Sequence, residues 1–320
     1  MNGLNYPSGG RGMSLLTAVF TPFDEAGRLA LETVEKQVDA LAAVGSPAAF
    51  VAGTAGEGAS LTVAERQALT ERWCEAADGR LDVIVHVGHT SLAEARALAA
   101  HAQSVGARAI AAVAPYFHRP ADAGALAEFC AQIAEAAPKL PFTYYHIPGV
   151  TGVNVRASDL MIAAKDRIPT FAGVKYAHTD LVDLQHCLEI ADGRYEVFVG
   201  VGKLVLAAHG IGAKTAIGSV YNFAAPLYQR MLDLAANGEV AAARRCQALA
   251  QSVIDTAAGY GGELPGFKAL TALTGVDCGP CRPPLTSPDD AGRARLRAEL
   301  TELGFLEPDE AGAAREAVHP

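Results

Sequence analysis

Positive charge is scarce in this chain, and lysine is scarcest. Seven lysines and nineteen arginines stand against 35 acidic residues, giving a net charge of −9 and a pI near 5.5. Such a surface repels a nucleic-acid backbone or an anionic membrane, so the expected partner is a small molecule, with no nucleic acid and no membrane. No run approaches the roughly 20 apolar residues that span a bilayer. Residues 1–12 are polar and Gly-rich and lack the apolar core of a signal peptide, and ordered-looking sequence begins at Ser14, which makes Met13 a candidate start. A cytoplasmic protein with six reduced cysteines is expected. A Gly-rich dinucleotide turn is also missing: the first apolar run is followed by Thr21-Pro22-Phe23-Asp24.

One cysteine pair, Cys278-Gly-Pro-Cys281, has the form of a redox motif. Such a pair should follow an early strand and open a helix, where the helix N-terminus lowers a thiol pKa. Here it lies late and runs into Arg282-Pro283-Pro284, with no two further ligands at zinc spacing. The reading is two loop thiols, no metal and no cofactor.

What is present is a dense alternation. Half of the residues are hydrophobic and 19% are charged, as in globular enzymes. Strand-like runs fall at 15–21, 48–51, 82–86, 108–114, 141–146, 170–175, 195–199 and 215–217. Most are nearly continuous apolar runs, as strands buried on both faces require. Amphipathic stretches lie between them, for example 31–44, 62–77 and 91–105, with Thr62 and Ser91 as N-caps and Gly45 and Gly106 at C-caps. Eight such units, spaced by about thirty residues, predict a (β/α)8 TIM barrel over 14–237. Helical stretches at 239–258, 267–273 and 291–303 exceed what a barrel needs. They predict a helical C-terminal extension of the same domain over 238–306. A flexible segment is expected over 1–13 and a disordered tail over 307–320.

In such barrels chemistry occurs at the C-terminal strand ends. Lys175 closes the apolar run 170–175, where burial disfavours the ammonium and yields a nucleophilic amine. Pairing with a buried acid is the open alternative, although no Asp or Glu lies in the runs 141–146 and 170–175. Tyr145 on the adjacent strand can relay a proton or fill the interior; by alternation, Tyr144 and His146 point outward. Gly53-Thr54-Ala55-Gly56-Glu57-Gly58 offers backbone N–H groups to an anion. Gly200-Val201-Gly202-Lys203 and Gly218-Ser219 follow the last two runs, and His86 and His89 edge the third.

Gly53-Thr54-Ala55-Gly56-Glu57, Tyr145-His146-Ile147-Pro148 and Gly173-Val174-Lys175 resemble the signatures of the dihydrodipicolinate synthase/N-acetylneuraminate lyase family. The resemblance runs from Thr21 to about Pro284. Within the family it is to the animal-type lyases, on segments such as Ile168-Pro169-Thr170-Phe171 and Gly218-Ser219-Val220-Tyr221-Asn222. It implies a carbon–carbon lyase, a class I aldolase that forms an imine with pyruvate, assembled as a homotetramer. By position it implies Lys175 as the imine lysine, Tyr145 as the proton relay and Thr54 in the carboxylate-binding loop. Ala55, Gly56, Gly200, Gly202, Lys203 and Ser219 would complete the substrate contacts. Departures are specific. Ala55 replaces a second Thr, Ala177 a small hydroxyl residue, and Gly202-Lys203 the Asp-Glu pair that holds the sugar of sialic acid lyases. Val150 and Phe117 stand where the lysine-biosynthetic members have Arg and Tyr. The expectation is cleavage of a 2-oxo acid to pyruvate and an aldehyde, with Lys203 facing the distal end and an anionic or shorter substrate preferred to N-acetylneuraminate. Dehydration or decarboxylation through the same imine, or a non-catalytic paralogue, stays open.

Overall fold

Strands that are apolar on both faces must be covered on both, and a closed barrel wrapped in helices satisfies that demand. A computed structural model describes residues 4–6 and 12–307. In it β1 (Ser14–Ala18), β2 (Ala48–Val51), β3 (Asp82–His86), β4 (Ala109–Val113), β5 (Phe142–His146), β6 (Phe171–Tyr176), β7 (Glu196–Val199) and β8 (Thr215–Gly218) pair in sequence order, all parallel. β8 returns to β1 and closes the barrel. The expected TIM barrel is present. The run 15–21 leaves the sheet after Ala18, just before Pro22, which has no amide to donate.

The outer layer comprises α1 (Thr33–Ala43), α2 (Val63–Ala77), α3 (Leu92–Ser104), α4 (Ala123–Glu135), a short α5 (Pro148–Thr151), α6 (Ala157–Ala164), α7 (Leu181–Ala191), α8 (Val205–Gly210) and α9 (Tyr221–Ala236). Local chemistry sets their ends. Thr62 and Glu65 form a reciprocal capping box on α2, and Gly45 and Gly106 take φ of +69° and +84° after α1 and α3.

Strand alternation divides the apolar residues between two cores. Leu15, Ala49, Val85, Tyr144 and Val174 face the helices. Leu16, Phe50, Ile84, Tyr145, Phe198 and Ile217 fill the barrel itself. Each fully buried Phe or Leu contributes roughly 1.5–3 kcal/mol. Leu4 and Tyr6 belong to this inner cluster, and the Tyr6 hydroxyl donates to Asp82 at the start of β3 (3.1 Å). They close the barrel's N-terminal end, an anchoring that the Gly-rich composition of 1–13 did not suggest. Residues 1–3, 7–11 and 308–320, where the rest of the expected flexible segment and tail would fall, lie outside the described residues.

Beyond the barrel, α10 (Val240–Ala258), α11 (Glu263–Thr274) and α12 (Asp290–Glu302) follow. α11 starts four residues before the expected 267 because Pro265 sits in its first turn, where no amide is needed. This start carries Glu263, Leu264 and Phe267 over the C-terminal end of the barrel. A buried ion pair fixes it there. Lys268 Nζ lies 3.2 Å from Glu57 Oε1, both side chains being 1% exposed. The ammonium also donates to the carbonyls of Thr21 (2.9 Å) and Pro280 (2.8 Å), and the Arg282 amide donates to Glu57 (2.8 Å). Cys278 and Cys281 are buried free thiols, pushed up to about 12 and about 11 chiefly by burial. Neither environment supports a reactive thiolate.

Candidate active site

Lys175 is placed by the pairing of β5 with β6, which sets it directly beside Tyr145. It points into the barrel and is 3% exposed. Gly173, two residues earlier, makes this register possible: a Cβ there would overlap the Glu196 carbonyl of β7. The ammonium of Lys175 lies over two rings, 3.8 Å from the Phe50 centroid and 4.0 Å from that of Tyr145. Ring faces offset part of the lost hydration, by about 0.5–2 kcal/mol. No carboxylate among the described residues lies within ion-pair distance, which removes the paired-acid alternative. Burial lowers the pKa to about 7, so a large share of the amine is neutral near pH 7.

Tyr145 is held on three sides. Its hydroxyl is 3.2 Å from Thr54 Oγ1, and its ring meets Phe50 and His86 edge-on at 5.6 and 5.9 Å. Burial pushes the phenol up to about 12, against a smaller lowering by the Thr54 hydroxyl. His86 is buried and neutral. Its Nδ1 contacts the Ala52 carbonyl (3.1 Å) while the Val113 amide donates to Nε2 (3.4 Å). Burial, then Arg66 and Lys175, hold its pKa well below the usual histidine range. His86 is therefore a wall against Tyr145, whereas His89 accepts from the Ser91 amide at the start of α3. Tyr144 and His146 face outward as expected, the latter 5.2 Å from the Tyr176 ring.

The loop after β2 is tight. Ala52 and Glu57 adopt left-handed φ of 56° and 51°, and a Cβ on Gly58 would overlap the Ala52 carbonyl. The turn leaves the amide N–H groups of Thr54, Ala55 and Gly56 without an acceptor among the described residues, and the Thr54 side chain reaches the Tyr145 hydroxyl. Glu57, anchored by Lys268, holds the far side of the loop.

Lys175, Tyr145, Thr54, Ala55, Gly200 and Ser219 line one cavity of about 200 Å³, together with Ala18, Ile147, Ala177, Ile217, Gly218, Glu263, Leu264 and Phe267. Of the expected contacts, Gly56, Gly202 and Lys203 do not line it. Gly56 is buried and its carbonyl accepts from Thr21 Oγ1. The Gly202 carbonyl accepts from the Tyr228 hydroxyl (3.1 Å) and Gln247 (3.3 Å). The expectation that Lys203 faces the substrate is corrected. The chain after β7 winds into a 3-10 turn over Gly202–Leu204, and the Lys203 ammonium pairs with Asp255 of α10 at 2.5 Å. Sequence reasoning missed Phe50, Leu264, Phe267 and above all Glu263. Alternation along β2 would have found Phe50. The only trace of Glu263 was its place after Gly261-Gly262, whose φ of +89° and +104° mark a sharp entry into α11.

Comparison with known proteins agrees with this geometry. The pattern of the dihydrodipicolinate synthetase family matches residues 12–303. N-acetylneuraminate lyases of Gallus gallus and Homo sapiens are each 38% identical to the chain, over 299 and 296 residues. These alignments cover 92% and 91% of this chain and 97% and 92% of the relatives. Among solved structures, the N-acetylneuraminate lyase of Proteus mirabilis superposes with a TM-score of 0.89 at 32% identity, covering 95% of this chain and 100% of the other. That of Aliivibrio salmonicida gives 0.89 at 33% identity, covering 96% and 99%. The chain belongs to the dihydrodipicolinate synthetase family.

Proposed function

We propose that this protein is a class I aldolase that cleaves a 2-oxo acid to pyruvate and an aldehyde, and runs the reverse condensation, through an imine on Lys175. The observation that carries the reading is a buried lysine without a counter-charge, poised near pH 7 beside a tyrosine–threonine pair. The neutral amine attacks the ketone carbon, and the carbinolamine hydroxyl leaves as water with the phenol proton of Tyr145, giving an iminium beside a phenolate. The substrate carboxylate lies against the Thr54 hydroxyl and the Ala55 amide, the two members of the loop after β2 that line the cavity. Tyr145 accepts the proton of the C4 hydroxyl as the C3–C4 bond breaks, the electron pair passing into the iminium to form an enamine. The aldehyde leaves, the enamine is protonated at C3, and water releases pyruvate. The iminium charge beside Tyr145 favours its phenolate, which offsets the raised resting pKa.

The distal substrate faces α11, and among the described residues the charged side chain of α11 that lines the cavity is Glu263. With Lys203 held by Asp255, an anionic distal group meets a carboxylate. A neutral aldehyde carrying hydroxyl donors fits better, because a carboxylate accepts and cannot donate. A cytoplasmic homotetramer is part of the same reading. The exposed Tyr116, Phe117 and Val150 (42%, 78% and 65%) support self-association. We also assign 14–237 to the barrel and 238–306 to its extension, as one folding domain.

Incubation with pyruvate and borohydride is expected to add one stable adduct per chain, and Lys175→Ala to abolish it. Unmodified wild-type protein, or label on another lysine, would refute the mechanism.

A further inference from the structure

The larger concavities lie at the opposite end of the barrel. A cleft of about 630 Å³ runs under the starts of β4, β5 and β6, bounded by Arg108, segments 138–141 and 168–172, and Arg194-Tyr195. Its charged lining among the described residues is Arg108, Lys139, Lys165 and Arg194, with no Asp or Glu. A second cleft of about 870 Å³ adjoins it through Arg108, Arg194 and Tyr195 and adds Lys214, with Asp192 and Glu196. Three of the chain's seven lysines thus stand around one mouth of a protein whose net charge is −9.

Two of the cations of the first cleft, Lys139 and Lys165, stand without a neutralising acid among the described residues. Arg108 lies 3.5 Å from Asp82, whose carboxylate also accepts from Tyr6. Arg194 stacks 5.1 Å from the Tyr195 ring. The ammonium groups of Lys139 and Lys165 have no acidic partner among the described residues. Their backbones are nonetheless fixed. The Lys139 amide donates to Gln103 (2.8 Å), and the Lys165 amide to Met161 at the end of α6 (3.0 Å). The walls are stiff and apolar, built from Pro138, Pro141 and Pro169 and from the Phe171 and Tyr195 rings, 5.3 Å apart. The Thr170 hydroxyl in the same wall is buried without a partner among the described residues.

We propose that this cleft binds a compact organic polyanion, a molecule carrying two or more phosphate or carboxylate groups. Its volume is that of a small-molecule site. Like charges around one cleft repel one another, and a multivalent anion turns that repulsion into charge-assisted hydrogen bonds. The acidic remainder of the surface excludes a long nucleic-acid chain and favours a ligand that fits within the basic mouth. The site is independent of the imine chemistry, from which the barrel interior separates it.

The test is calorimetric titration of the full chain with inorganic tripolyphosphate, citrate and ATP at low and high salt. Saturable binding of at least one, weakening as salt rises, is expected. Lys139→Glu/Lys165→Glu should weaken it roughly tenfold or more while leaving pyruvate trapping intact. Tripolyphosphate alone would identify a phosphate chain as the recognised group, citrate equally a polycarboxylate. Tighter ATP binding that Tyr195→Ala reduces would add a ring contact. Absence of saturable binding by all three, or binding unchanged in the double variant, overturns the proposal.

Discussion

Lys175 and Lys268 are both buried to within a few per cent, yet they do different things. Lys268 gives its protons to three oxygens, the Glu57 carboxylate and two backbone carbonyls. Lys175 has ring faces at 3.8 and 4.0 Å and no carboxylate among the described residues. Burial penalises both ammonium groups equally in kind. In one the cost is offset by compensating charge, and the lysine becomes a rivet between α11 and the loop after β2. In the other it is left standing, and this is the amine we propose as the imine lysine. Burial alone therefore does not distinguish the two lysines; the missing partner does.

The largest effect tests the reactive end of that contrast. Tyr145→Phe keeps the ring beneath Lys175 and removes only the hydroxyl. Pyruvate trapping should persist while turnover falls by about a hundredfold to ten-thousandfold. Turnover within a few-fold of wild type would reduce Tyr145 to packing.

The structural end is tested by urea unfolding. Lys268→Met leaves the Glu57 carboxylate buried and unpaired, and should cost about 3–5 kcal/mol. Lys268→Met/Glu57→Leu should regain part of it, since no buried charge is then left uncompensated, although the Thr21 and Pro280 carbonyls and the Arg282 amide lose their partners. Lys175→Met should cost nothing comparable. If both single variants lose equally, the contrast between the two lysines is wrong.

pH separates them again. The Lys175 pKa falls from 10.5 to about 7 on folding. Between those values the unfolded chain binds more protons than the native one, so this group makes stability rise with pH, by up to about 1.4 kcal/mol per unit. Below the folded value the ammonium is present in both states, and the full desolvation cost remains without a slope. Subtracting the Lys175→Met curve from that of wild type between pH 7.5 and 9.5 should isolate the rise. A flat difference would mean that the buried amine is not shifted.

This contrast also explains what the sequence disclosed. Lys175 was legible because a charge that closes an apolar strand breaks a pattern. Lys268 was not, because a lysine in a helix reads as a solvent-facing side chain and its partner is 211 residues away. The barrel was legible because every strand is covered on both faces, leaving eight apolar runs. Leu4 and Tyr6 were not, since isolated apolar residues in a Gly-rich stretch carry no periodicity. Lys203 was placed correctly in the chain but not in space. Sequence fixes the order of residues in a loop, whereas the direction of a long side chain depends on which partner, here Asp255, the fold brings near.

The smallest effect concerns that last pair and Glu263. Lys203 and Asp255 are 37% and 67% exposed, and such an ion pair contributes about 0–1 kcal/mol. Lys203→Ala should therefore change kcat/KM by less than about threefold on any 4-hydroxy-2-oxo acid. Glu263 lines the cavity, so reversing its charge acts on the substrate directly. Glu263→Lys should raise kcat/KM for substrates with a distal carboxylate relative to neutral polyhydroxylated ones, by roughly tenfold in the ratio. Pyruvate trapping, which does not involve the distal end, serves as the internal control and should be the same in all three proteins. A ratio that moves with Lys203→Ala and ignores Glu263→Lys would show that the loop after β7 turns inward when substrate binds. The lysine would then read the distal group, as its sequence position first suggested.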